Sequence, residues 1–83
     1  MNSSVTRSFR ERLARLPPAL QARARKQYEL WSRDHWHPSL HFKKVGRFWS
    51  ARVDEKYRAL GLERDGRIYW FYIGPHDGYE ERI

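Results

Sequence analysis

The stretch YRALGLERDGRIYWFYIGPHDGY, from Tyr57 to Tyr79, decides how the rest of the chain is read. Two runs rich in branched and aromatic residues flank Asp65-Gly66. That dipeptide suits a two-residue hairpin turn, because both of its residues tolerate positive φ. Counting outward from the turn, Arg64 opposes Arg67, Gly61 opposes Trp70, Leu60 opposes Phe71, Ala59 opposes Tyr72 and Arg58 opposes Ile73. Gly74-Pro75 stops the second strand, since proline cannot donate to a ladder, and carries His76 and Tyr79 beyond it.

Upstream of the hairpin the strand pattern continues. Segments 40–45, 48–53, 57–62 and 67–73 read as strands, joined by Gly46-Arg47, by residues 54–56 and by the Asp65-Gly66 turn. Connections this short pair consecutive strands antiparallel, as a meander. A three-residue loop at 54–56 sets Val53 against Tyr57, Arg52 against Arg58 and Ala51 against Ala59. One face then holds Trp49, Ala51, Val53, Tyr57, Ala59, Gly61, Trp70 and Tyr72, and is assigned to the core. The other holds Ser50, Arg52, Arg58, Leu60, Leu62, Tyr69, Phe71 and Ile73. Two arginines directly opposite cost about a few tenths of a kcal/mol when exposed. An anion gripped by both guanidiniums would offset that cost, and so would Asp54, Glu55 or Asp77 nearby. The remaining apolar area of this face fits a protein partner.

The N-terminal part reads as helix. Residues 4–6 are at most a short strand. Ser8 and Glu11 fit a capping box, and Phe9, Leu13 and Leu16 fall on one helical face. Pro17-Pro18 ends this helix, and Pro18 opens a second one to about Arg33, whose buried stripe is Leu20, Ala24, Tyr28 and Trp31. The predicted class is α+β over a single domain, residues 1–83. It has an N-terminal helical hairpin packed on one face of a four-stranded antiparallel sheet.

Composition narrows the function. The 83 residues carry a net charge of +7, and the chain has no cysteine, so disulfides and thiolate metal sites are excluded. His35-Trp36-His37 and His41 invite a metal reading, but no thiolate or grouped carboxylate supports it, and they read as loop histidines with no metal and no cofactor. No apolar run spans a bilayer and the N-terminus is too polar for a signal peptide, so a mature, soluble, cytoplasmic chain is expected. Residues 1–33 hold eight basic and two acidic side chains, 34–58 six and three, and 59–83 three and five. A balance of this kind favours a polyanion, most simply nucleic acid, or an acidic protein.

The chemistry on offer is at the end of the last strand. His76 and Tyr79 leave the sheet near Arg58, with Lys43, Lys44 and Arg47 in the first strand and its turn. Cleavage of RNA by its own 2′-hydroxyl needs a base, an acid for the leaving 5′-oxygen and positive charge for the phosphorane, and these residue types suit it. The same residues also suit a structural role, His76 bonding within its turn and Tyr79 stacking on the sheet edge. Phosphate-binding glycine loops, nucleophile elbows and paired carboxylates are absent from the sequence.

Several short motifs, in order, resemble the RelE/ParE toxin superfamily. They are Leu16-Pro17, the basic second helix, His37-Pro38-Ser39-Leu40-His41-Phe42-Lys43, Trp49-Ser50-Ala51-Arg52-Val53, Tyr57-Arg58-Ala59-Leu60-Gly61, and Ile73-Gly74 followed by His76 and Tyr79. The resemblance covers roughly residues 9–80 and is closest to compact RelE-like members. It implies the toxin of a type II toxin–antitoxin pair, held by a cognate antitoxin, that cuts mRNA in the ribosomal A site without a metal and so inhibits translation. On that resemblance Arg58 contacts the scissile phosphate, His76 is the general acid, and Tyr79 stacks on or acts on the RNA. Lys43, Lys44, Arg47 and Arg52 bind RNA backbone. The sequence departs from the superfamily in a missing or very short first strand, in ending soon after Tyr79, and in placing no glutamate or lysine as the base. ParE-like members share the fold but poison DNA gyrase without catalysis, and a basic binding module without toxicity is the third reading.

Overall fold

A computed structural model describes residues 1–76. The elements, in chain order, are strand β1 (Asn2–Val5), helices α1 (Arg7–Ala14) and α2 (Pro18–Arg33), a 3-10 turn at Pro38–Leu40, and strands β2 (Lys43–Val45), β3 (Phe48–Arg52), β4 (Tyr57–Arg64) and β5 (Arg67–Pro75). They form the expected α+β architecture, both helices packing into the core on one face of the sheet. No helix among the described residues is long and apolar enough to cross a membrane.

The sheet has five strands, in the order β1-β5-β4-β3-β2, where the sequence predicts four. The extra strand lies parallel to β5, Asn2 facing Arg67 and Val5 facing Trp70. Asn2-Ser3-Ser4 has no apolar alternation to announce a strand. It pairs because β5 has a free edge there, and the Arg67 guanidinium fastens it by donating to Ser3 O at 2.9 Å and Ser4 Oγ at 2.8 Å.

Helix α1 is capped two residues before the predicted capping box. Thr6, not Ser8, is the cap: its Oγ1 accepts from Phe9 N at 3.2 Å and itself donates to Trp70 O at 3.0 Å. One hydroxyl thus ties the helix start to the sheet, while Glu11 pairs outward with Arg7. In α2 the stripe that reaches the core is Ala24, Gln27 and Trp31, and Tyr28 is exposed. Gln27 displaces Tyr28 from the stripe because its amide donates to Arg52 O at 3.0 Å, which satisfies a polar group inside. Strand β2 is shorter than predicted. Pro38 opens a 3-10 turn that sinks Leu40 into the core, and His41 takes a left-handed conformation, φ 44°, before the strand starts.

The hairpin register follows the count from the turn as far as Trp70 and then shifts. Arg64 faces Arg67 and Gly61 faces Trp70, but Leu60 faces Tyr72, Ala59 faces Ile73 and Arg58 faces Gly74. Phe71 is the extra residue of a β-bulge. Beyond it every side chain of β5 changes face relative to a straight count. Ile73 therefore enters the main core with Trp31, Trp70 and Ala59. Tyr72 leaves it and joins Leu60 and Phe71 in a second, smaller cluster on the face away from the helices. The β3–β4 register is as counted: Ala51 faces Ala59 and Arg52 faces Arg58.

The core behind this face is aromatic. Trp31 meets Trp70 edge-on at 5.5 Å and Phe42 at 5.6 Å, and Phe42 stacks on Trp49 at 4.6 Å. Gly61 makes the close packing feasible: a Cβ there would lie 2.5 Å from Ile68 Cγ2 and 3.0 Å from Trp70 Cε3. Both neighbours are buried, so neither has room to yield. Gly61→Ala should therefore destabilise by about 1–3 kcal/mol, lowering the melting temperature by roughly 5–20 °C. A thermal melt of the variant that matched the wild type would contradict this packing.

Candidate functional site

The candidate residues gather where β4 begins and β5 ends. Asp54 shapes the entry to β4: its Oδ1 accepts from Lys56 N at 2.9 Å and Tyr57 N at 2.8 Å, an Asx turn that closes the β3–β4 loop. Arg58 follows and anchors the same loop. Its Nη1 donates to the carbonyls of Asp54 at 2.5 Å, Tyr57 at 3.0 Å and Glu55 at 3.3 Å. None of these bonds uses Nε or Nη2. The guanidinium is half-buried and held in place by one nitrogen.

His76 arrives from the other strand. Its backbone N donates to Lys56 O at 2.7 Å, which hooks the end of β5 onto the loop that Arg58 braces. Arg58 and His76 thereby line one open cleft, with Glu55, Lys56, Tyr57 and Pro75. Tyr79, the third predicted catalytic residue, lies outside the described residues.

Arg58 also belongs to the sheet face opposite the helices. Arg52, next to Arg58, turns away from the cleft: its Nη1 lies 3.5 Å from His41 Nε2. The two guanidiniums thus diverge, Arg58 onto the loop carbonyls and Arg52 towards β2. No ion pair among the described residues involves Arg12, Lys43, Arg52 or Arg58. The like-charge cost is relieved by separation and by carbonyl oxygens, not by the carboxylates of Asp54 or Glu55.

Strand alternation sorts the predicted backbone-binding cations. Lys43 faces Ser50 in register and shares the Arg52–Arg58 face, while Lys44 faces Trp49 and points to the helix side. Arg47 sits in the β2–β3 turn with its guanidinium 5.7 Å from the Phe48 ring. Phe48 in turn meets Phe71 of the bulge at 5.3 Å.

Two further residues join this face, neither of them among the predicted catalytic or RNA-binding residues. Arg12 reaches over from α1, its guanidinium 4.4 Å from the centre of the Tyr72 ring, a cation–π contact beside Arg58's strand partner Gly74. His41 joins at the other end, through Arg52. Arg12 is one of four arginines on or beside α1, and only the bulge, by turning Tyr72 outward, gives it a ring to cover. The other two histidines serve the fold. His35 stacks on Trp31 at 4.1 Å, and His37 Nδ1 accepts from Ser39 N at 3.2 Å. No cluster of three or more His, Cys, Asp or Glu occurs among the described residues.

Neither a protein-family model nor a curated protein matches the chain. Solved structures do. The toxin–antitoxin complex RelBE of Mycobacterium tuberculosis contains a chain similar over 90% of this one and 96% of its own length, at 21% identity and a TM-score of 0.70. The RelB–RelE antitoxin–toxin complex of Methanococcus jannaschii matches over 95% and 96%, at 13% identity and a TM-score of 0.72. A YoeB/ParE toxin of Agrobacterium tumefaciens matches over 92% and 99%, at 14% identity and a TM-score of 0.69. Matches of this extent show a RelE-like fold.

Proposed function

We propose that this protein is the toxin of a toxin–antitoxin pair and that it inhibits translation by cleaving mRNA on the ribosome. The observation that carries the reading is the cleft shared by Arg58 and His76, beside Arg52 and Lys43, which no ion pair among the described residues engages. The neighbours of this fold are toxins, two of them solved with an antitoxin, and an antitoxin is the natural cover for the apolar part of the open face, where Leu62 and Tyr69 are exposed.

In this reading the RNA 2′-oxygen attacks the adjacent phosphorus and the 5′-oxygen leaves. Arg58 offers Nε and Nη2 to the non-bridging oxygens as charge builds on them. His76 gives a proton to the departing 5′-oxygen. The products carry a 2′,3′-cyclic phosphate and a 5′-hydroxyl. Lys43, Arg47 and Arg52 hold the RNA backbone on the same side of the sheet and Tyr79 stacks on a base, while Lys44, on the helix side, takes no part. The ribosome supplies the codon and holds the message bent, which a flat sheet face this small cannot do alone.

His76→Ala is expected to slow cleavage of a ribosome-bound message by about 10²–10⁴-fold, while the backbone N of residue 76 keeps its bond to Lys56. Single-turnover cleavage on programmed ribosomes, with the new ends identified chemically, tests it. Undiminished cleavage by the variant would remove His76 from the reaction.

A further inference from the structure

The proposed chemistry needs a base for the 2′-hydroxyl, and the sequence motifs place none. We propose that His41 is that base. This assignment rests on the RNA-cleavage reading and adds a residue to it.

The argument starts from the register. Lys43 faces Ser50, so continuing two residues brings His41 opposite Arg52. Arg52 faces Arg58, and Arg58 faces Gly74, two residues before His76. One row therefore crosses the sheet: His41, Arg52, Arg58, Gly74. With neighbouring strands about 4.8 Å apart, the row is roughly 14 Å long. It has His41 at one end, two guanidiniums in the middle, and at the other end Gly74, two residues before His76. In-line attack places the entering and leaving oxygens on opposite sides of the phosphorus. The acid and the base must therefore approach from opposite sides, with the cations beside the phosphate. His41 and His76 are so disposed. Glu55 is not, because it lines the cleft at the His76 end.

The state of His41 fits the task. A guanidinium has only donors, so the His41 nitrogen that faces Arg52 at 3.5 Å must be the one with the lone pair. At 3.5 Å the contact is weak and readily exchanged. A phosphate drawing Arg52 to itself would release the Nε2 lone pair beside the sugar that carries the phosphate. Nε2 then takes the 2′-hydroxyl proton, the 2′-oxygen bonds to phosphorus, and the bond to the 5′-oxygen breaks as His76 protonates it.

The backbone points the same way. His41 is exposed and adopts φ 44°, ψ 41°, a left-handed conformation that closes the 3-10 turn, its N–H donating to Pro38 O. The other non-glycine residue with positive φ, Asp65, is in the hairpin turn where the geometry demands it. At residue 41 the conformation ends the 3-10 turn and lifts the imidazole onto the row.

The test uses His41→Asn and His41→Gly, both of which accept left-handed backbone, so that neither strains the turn. On programmed ribosomes each should cleave about 10²–10⁴-fold more slowly than wild type, and added imidazole should restore much of the rate to the glycine variant. A message with sulfur in place of the 5′-oxygen has a leaving group that needs no acid. It should rescue His76→Ala and leave His41→Asn slow. His41 variants that cleave the ordinary message at the wild-type rate, or that the sulfur substitution rescues, would overturn the assignment. A wild-type protein that cleaves neither message would overturn the RNA-cleavage reading itself, and His41 with it.

Discussion

Arg58→Ala is expected to lower cleavage of a ribosome-bound message by about 10²–10³-fold or more, the loss typical of removing one preorganised donor to a developing oxyanion. The variant should also be less stable, because Nη1 of Arg58 serves three loop carbonyls, of Asp54, Glu55 and Tyr57. Leaving those oxygens without a charged donor costs about 1.5–3 kcal/mol, less where water reaches them. The two losses are separable with Arg58→Lys. A lysine ammonium can satisfy one or two of the carbonyls and so recovers part of the stability, but it has no second arm to offer a phosphate. Rate and melting temperature measured on both variants should show stability partly restored and the rate still low. Rate recovering in step with stability would mean that Arg58 only braces the loop.

Trp31→Ala is the substitution expected to hurt the fold most. Trp31 is 2% exposed and is the largest side chain that α2 buries in the core, touching Trp70, Phe42 and His35 by ring. Emptying that volume should cost about 3–5 kcal/mol. A domain of this size has a total stability of only about 5–15 kcal/mol, so the melting temperature should drop by roughly 12–40 °C. Trp31→Phe is the informative companion. The indole nitrogens of Trp31 and Trp70 have no hydrogen-bond partner. Shortening the ring therefore removes contact area but breaks no hydrogen bond, and most of the stability should remain. Denaturant titration of the two variants decides it: equal, severe losses would mean that the indole N–H matters after all.

These contrasts show what a sequence can and cannot carry. The helical hairpin, the meander and the Arg52–Arg58 pairing follow from turn chemistry and periodicity, which are local. Three features do not. Phe71 forms a bulge for which no residue type is diagnostic; a straight count therefore sends Tyr72 inward and Ile73 outward, the reverse of what the structure holds. The strand at Asn2–Val5 is polar and exists because a distant segment offers an edge. Thr6 outcompetes Ser8 as a cap because it also reaches Trp70 O, a partner far along the chain.

The candidate site divides along the same line. Arg58 and His76 are legible because each is adjacent to a strand end that the pattern predicts, and they line one cleft. Lys44 is read with Lys43 as a pair, yet alternation sends the two to opposite faces. Arg12 reaches the face only through the bulge, which no sequence count could place, whereas His41 follows from counting back from the Gly46-Arg47 turn. Segment 77–83, with Tyr79, lies beyond the described residues.

The central claim is that this fold cuts translated messages. It is tested most directly by inducing the protein alone in a bacterial host and mapping mRNA 5′ ends across the transcriptome within minutes. The account predicts new 5′-hydroxyl ends that fall within codons, on translated messages only, and that vanish with Arg58→Ala or His76→Ala. Messages that stay intact while growth stops and DNA breaks accumulate would contradict it and point to a gyrase poison instead. Growth that continues unchanged would show that the fold has kept the shape of a toxin without the action of one.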